Sequence, residues 1–196
     1  MTDAGMVGAP APDRQRWGNP LSYRPEWSER SRLAASLVPD NASVLEIGVG
    51  TGAFREFVKA RTAYLGADLQ PLDAATIELD LDLDPLPPGR FDYAVLLGVF
   101  GYLHRPQAAA EKVCRAAHHV IVSYCCRRKE LPVAAVLESR QRRGWVNNFD
   151  QAEFIALFAR HGHELAESTL LLRTEEFEEF LMTFRRASPS SELGRR

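Results

Sequence analysis

An open α/β sheet, doubly wound and mostly parallel, is the fold this sequence predicts, and three observations carry it. Short apolar runs alternate with helical patterns along most of the chain. A glycine-rich loop, Gly48-Val49-Gly50-Thr51-Gly52, joins the first such run to the helix behind it. Two late apolar runs separated by a short charged turn then predict an antiparallel hairpin, which completes a single seven-stranded sheet.

Each element follows from its residues. Between positions 24 and 37, Trp27, Leu33, Ala34 and Leu37 recur at near-helical spacing, Pro25 suits a first helical turn, and Pro39-Asp40-Asn41 breaks the chain. Ser43 to Ile47 predicts a short buried strand; the glycine loop follows, and then a helix over about 53–61. Ala63 to Asp68 and Thr76 to Asp80 predict the second and third strands. Phe91 to Leu97 is nearly continuous in apolar residues, as parallel strands covered on both faces are, and predicts the fourth. A helix over 106–117, a fifth strand over Val120 to Ser123 and a helix over 131–141 come next. Asp150 suits the cap of a helix whose stripe is Phe154, Ile155, Leu157 and Phe158, with Gly162 as its stop. Leu165 to Leu172 and Phe177 to Phe184 are the hairpin strands.

Composition bounds the rest. The 196 residues suit one domain at roughly 150 residues each, and 45% hydrophobic against 26% charged residues suits a chain with a real core. Residues 1–20, rich in Gly and Pro, are expected to be a flexible arm, 21–187 the folded domain and 188–196 a mobile tail. A net charge of −2 and a pI near 6.2 lack the basic excess that a nucleic-acid backbone calls for. No run approaches the roughly 18 apolar residues of a membrane span, and residues 1–13 carry no export signal pattern. Cys114, Cys125 and Cys126 make neither a disulfide framework nor a CxxC pair. The expectation is a cytoplasmic protein without metal, nucleic-acid or membrane partners.

The glycine loop between strand and helix lets backbone approach a ligand closely. By spacing alone, Gly48, Gly50 and Ala53 also satisfy the dinucleotide pattern GxGxx[GA]. Glu46 separates the two readings, because a carboxylate two residues before the first glycine suits a cationic ammonium group. The run Val44-Leu45-Glu46-Ile47-Gly48-Val49-Gly50-Thr51-Gly52 resembles the first motif of the class I S-adenosylmethionine-dependent methyltransferases, an acid followed by GxGxG. The resemblance implies a Rossmann-like fold and S-adenosylmethionine as cofactor. It also implies that Gly48, Gly50 and Gly52 accommodate the methionine part, with Glu46 near its amino group. Asp68, at the end of the second strand, is then the acid for the ribose hydroxyls.

Leu79 to Pro87, followed by Phe91-Asp92, is similar to the family's sequence of acid, spacer, Leu-Pro and Phe-Asp. Counting back from Leu86-Pro87 favours Asp82 as the acceptor for the adenine amino group, and Asp80 stays open because a two-residue slip keeps the strand face. Leu69, Leu83 and Gly98 complete the implied cofactor set with Tyr23, an N-terminal aromatic suited to the cofactor's carboxylate, and Arg24 is a second donor there. After the fourth strand many small-molecule methyltransferases show Glu-His-Leu, whereas this chain has Gly101-Tyr102-Leu103-His104. Tyr102 takes the histidine's place and His104 becomes the substitute base, so these two are the candidates for catalysis. His118, His119, His161 and His163 precede strands and are expected at the opposite end of the sheet. Cys125 and Cys126 end the fifth strand and are expected to line a pocket, with substrate contact the alternative. Trp145-Val146-Asn147-Asn148 resembles a segment that approaches the substrate cavity in related enzymes, with helix capping by Asn148 or Asp150 the alternative. The function implied is methyl transfer to an oxygen or nitrogen of a small molecule in biosynthesis. The alternatives are a non-catalytic S-adenosylmethionine-binding partner of a biosynthetic complex and a nicotinamide oxidoreductase.

Overall fold

A computed structural model describes residues 27–187; Tyr23, Arg24, the expected arm and the expected tail lie outside the described residues. In chain order the elements are α1 (Trp27–Ser36), β1 (Ser43–Ile47), α2 (Ala53–Val58), β2 (Ala63–Asp68), β3 (Thr76–Glu78) and β4 (Phe91–Leu97). A 3-10 turn (Phe100–Tyr102), α3 (Pro106–Ala116), β5 (Ala117–Arg127), α4 (Val133–Arg142), α5 (Gln151–Ala159), β6 (His163–Arg173) and β7 (Phe177–Arg186) follow. The strands form one seven-stranded sheet in the order β3-β2-β1-β4-β5-β7-β6. β1 to β5 pair in parallel, while β7 runs antiparallel to both β5 and β6.

Burial separates the two faces of this sheet. Phe100, Val113, Phe154, Phe158, Met182 and Phe184 belong to one core, under α3 and α5. Ala34, Ala35, Val44, Phe54, Val58 and Ile121 belong to the other, under α1 and α2. On the first face, Phe154 lies flat on Tyr124 with ring centres 4.3 Å apart and meets Phe100 edge-on at 5.3 Å. α5 starts with a capping box: Asp150 accepts from the Glu153 N–H at 2.9 Å, and the Asp150 N–H donates back to Glu153 at 2.8 Å.

Several element boundaries depart from expectation: α4 is Val133–Arg142, and β6 and β7 run past their expected ends, as His163–Arg173 and Phe177–Arg186. β5 extends from the expected four residues to Ala117–Arg127, because β7 pairs with it from His119↔Arg185 to Arg127↔Phe177 and holds its polar ends extended. β3 ends at Glu78, where the chain turns: the carboxylate of Asp84 accepts the Asp80 N–H at 2.8 Å and that of Asp80 accepts the Asp82 N–H at 3.0 Å. α2 ends at Val58, earlier than the expected 61.

The chain leaves β1 for β2 on one side, and β4 returns on the other. Strand order reverses at β1 and β4, and in open sheets of this kind ligands bind in the crevice beyond the carboxyl ends of such strands. Among the described residues no helix is long and apolar enough to cross a membrane.

Candidate active site

A cavity of about 680 Å³ opens at that reversal, within the roughly 300–1,000 Å³ usual for small-molecule sites. Its wall draws on β1, the glycine loop, the end of β2, the turn after β3, the 3-10 turn, the end of β5 and the approach to α5.

Glu46, Gly48 and Gly50 line one half. Gly48 has φ +85°, and a Cβ there would lie 2.4 Å from Val99 Cγ2, so both backbone and neighbour demand glycine. Glu46 is 2% exposed and accepts a hydrogen bond from the Tyr64 hydroxyl at 2.5 Å. Burial pushes its carboxyl up to about 8 and the negative charge of Asp68 adds to this, against the opposing Tyr64 hydrogen bond and Arg55. Asp68 accepts from the Gly50 N–H at 2.8 Å through Oδ2 and from the Gln70 N–H at 2.9 Å through Oδ1. It therefore ties the glycine loop to the end of β2, and a carboxylate has lone pairs to spare for a ligand.

The other sequence-derived positions divide. Leu69, Asp80, Asp82, Gly98, Tyr102 and His104 all line the cavity. Gly52 instead caps α2 at φ 79°, and Leu83 is 61% exposed; neither belongs to the cavity wall. Asp82 spends both oxygens on backbone, Oδ2 on the His104 N–H at 2.9 Å and Oδ1 on the Arg105 N–H at 2.8 Å. Asp80 is 7% exposed; one of its oxygens holds the Asp82 N–H, and the other has no partner among the described residues. The ring nitrogens of His104 likewise have no partner there, while its backbone is pinned by Asp82. His119 and His163 lie at the starts of β5 and β6, away from the cavity: His119 stacks on Tyr93, and His163, 1% exposed, meets the Ala117 carbonyl at 3.2 Å. His118 and His161 are outside the cavity wall as well.

The other half of the cavity holds Trp27, Arg30, Tyr124, Cys125, Arg140, Trp145, Val146 and Glu179. Of the two cysteines at the end of β5 only Cys125 reaches it; Cys126 is in the core. Burial pushes the Cys125 thiol up to about 12, which keeps it protonated and poorly nucleophilic at neutral pH. Asn147 anchors its segment by donating to the Phe100 and Leu103 carbonyls at 2.6 and 3.2 Å and accepting from the Tyr124 hydroxyl at 2.6 Å.

Sequence reasoning missed Arg30, Arg140 and Glu179. Arg30 of α1 donates to Glu179 of β7 at 2.8 Å and lies over Gly98. Its partner is 149 positions away, so no local signal announces the pair. Arg140 left a faint trace: Val136, Ser139 and Arg140 share one helical face, and all three are buried.

A family model described as a methyltransferase domain matches residues 22–168. Among solved structures, the N-methyltransferase NodS of Bradyrhizobium japonicum, in complex with S-adenosylhomocysteine, is similar at 18% identity and TM-score 0.65, over 89% of this chain and 96% of that one. The 1,6-didemethyltoxoflavin-N1-methyltransferase of Burkholderia thailandensis, with its substrate and S-adenosylhomocysteine bound, is 16% identical at TM-score 0.66, over 95% and 94%. The magnesium protoporphyrin IX methyltransferase of Synechocystis, with S-adenosylhomocysteine, is 12% identical at TM-score 0.65, over 88% and 94%. At these identities the likeness is one of fold. Comparison with curated protein sequences finds no match.

Proposed function

The chain belongs to the methyltransferase-domain family, and from that premise we propose that it transfers the methyl group of S-adenosylmethionine to an oxygen or nitrogen of a small metabolite. The observation that carries this reading is a cavity whose wall joins an acidic, glycine-lined half to an aromatic one and includes His104 and Tyr102. The domain doing this is residues 21–187, and its place is the cytoplasm.

The residues present fit the cofactor. Glu46 offers a carboxylate for an ammonium group, Gly48 and Gly50 leave room for the methionine chain, and Asp68 accepts from ribose hydroxyls. For the adenine amino group we assign Asp80 rather than Asp82, because Asp80 has the carboxylate oxygen that the protein leaves unused. Leu69 and Gly98 supply wall. S-adenosylmethionine supplies a methyl group already activated by its sulfonium. The protein's work is then to align the acceptor in line with that methyl and to exclude water. His104, fixed through its backbone by Asp82 and unengaged at its ring, takes the acceptor's proton. Tyr102 orients the acceptor, since a phenol with an ordinary pKa near 10 is a weak base at neutral pH.

Calorimetry with S-adenosylmethionine and S-adenosylhomocysteine tests the first half of this reading, and absence of binding to the folded protein rejects it. Incubation with a metabolite extract and methyl-deuterated cofactor tests the second: mass-shifted small molecules are expected, and none would leave a binding protein without transfer.

A further inference from the structure

At the aromatic half of the cavity sits a cation without a counter-ion among the described residues. Arg140 is 2% exposed yet contributes to the cavity wall. Its Nε donates to the Asn147 carbonyl at 3.2 Å, Nη1 to the Cys125 carbonyl at 3.0 Å and Nη2 to the Tyr124 hydroxyl at 3.1 Å. All three acceptors are neutral, and no carboxylate reaches the guanidinium among the described residues. The other arginines near this cavity are different: Arg30 pairs with Glu179 at 2.8 Å, Arg143 with Glu176 at 3.2 Å and Arg127 with Asp150 at 3.5 Å. A guanidinium has five N–H groups, so these three bonds leave two without a partner among the described residues. The Trp145 and Tyr124 rings lie 4.7 and 5.8 Å from its central carbon and shield it further from water.

Burying a charge is costly unless a partner of opposite sign answers it. Three neutral acceptors account for a strut that ties α4 to β5 and the 144–149 segment. They do not account for a permanent charge at the wall of a ligand cavity, where an incoming anion would complete the pair. We infer that Arg140 anchors an anionic group of the methyl acceptor, a carboxylate or phosphate carried on a planar molecule that lies against Trp145. The oxygens of either anion match the guanidinium fork, which a lysine ammonium does not reproduce. The inference rests on the reading of the chain as a small-molecule methyltransferase, and it names the acceptor's class.

The test uses benzoate and phenyl phosphate as probes and benzamide as the neutral counterpart, titrated by Trp fluorescence into the free protein and into protein saturated with S-adenosylhomocysteine. Wild type is expected to bind at least one anion about tenfold or more tightly than benzamide, as a charge-assisted hydrogen bond implies. Which anion wins separates a carboxylate acceptor from a phosphorylated one. Arg140→Lys is expected to reduce the preference and Arg140→Met to abolish it, with circular dichroism as the check on folding. If Arg140→Met does not fold, the lysine variant and the wild-type preference carry the test. Anions that bind wild type no better than benzamide overturn the inference, and so does a preference that survives unchanged in Arg140→Lys. Failure of S-adenosylhomocysteine to bind overturns the proposed function instead, and the free-protein titration still reads the anion site.

Discussion

The indole of Trp145 lies against the backbone of Gly101: a Cβ built on Gly101 would stand 2.9 Å from Trp145 Cδ1. The Val146 N–H donates to the Gly101 carbonyl at 2.8 Å, so the 144–149 segment is laid directly on the 3-10 turn that follows β4. This contact leaves no room for a side chain at position 101. A glutamate at position 101 would occupy the space the indole fills, and the tryptophan in turn lines the aromatic half of the cavity and covers Arg140.

Gly101→Glu is therefore expected to expel Trp145 from its seat, red-shifting its fluorescence and removing most methyl transfer. S-adenosylhomocysteine affinity changes far less, because the glycine loop is untouched. Calorimetry alongside turnover reads the difference, and equal losses in both would show that the two halves are not separable.

Glu46 is expected to give the cofactor affinity a pH dependence. With its carboxyl at about 8 in the free protein, Glu46 is mostly protonated at pH 6–7, and binding an ammonium group beside it requires the proton to leave. Affinity is expected to rise with pH toward about 8, where Glu46 gives up its proton, and to fall at higher pH as the ligand's own amino group loses its charge. Proton release is measurable by calorimetry in buffers of different ionisation enthalpy, and Glu46→Gln is expected to remove the rising limb. The same raised pKa acts on stability. The folded state holds the proton more tightly than the unfolded chain, so this contribution is complete below about pH 4.5 and is lost as pH rises through about 8.

Asp80 and Asp82 are expected to fail differently. Asp80→Asn weakens S-adenosylhomocysteine binding with little change in urea midpoint. Asp82→Ala releases the His104 and Arg105 N–H groups at the start of α3 and lowers stability by roughly 1–3 kcal/mol, on the scale of a lost charged hydrogen bond or helix cap. The opposite pattern would return the adenine contact to Asp82.

Loss of the His104 imidazole is expected to slow single turnover about a hundredfold while cofactor affinity holds. Tyr102→Phe is expected to raise KM for the acceptor more than it lowers kcat. Full activity in His104→Ala would remove the acid–base assignment and leave positioning as the mechanism.

The alternation of strands and helices, the bounds of β1, β2 and β4, the Asp150 cap and the places of Glu46, Gly48 and Asp68 were all legible in the chain, because each is set by residues within about ten positions. A strand end, a tight loop and a cap are local solutions to local backbone demands, and their chemistry follows from which end of the sheet they face. What tertiary structure alone decided depends on partners far along the chain. The length of β5 is set by β7, and the engagement of Asp82 by the amides of His104 and Arg105, 22 and 23 positions after it. Two acids two positions apart are equivalent in sequence until something else claims one of them. Arg140 is the clearest case: on a helix rich in charge it resembles a surface residue, and only the arrival of Tyr124, Cys125 and Asn147 around it turns it into a buried cation at the cavity wall.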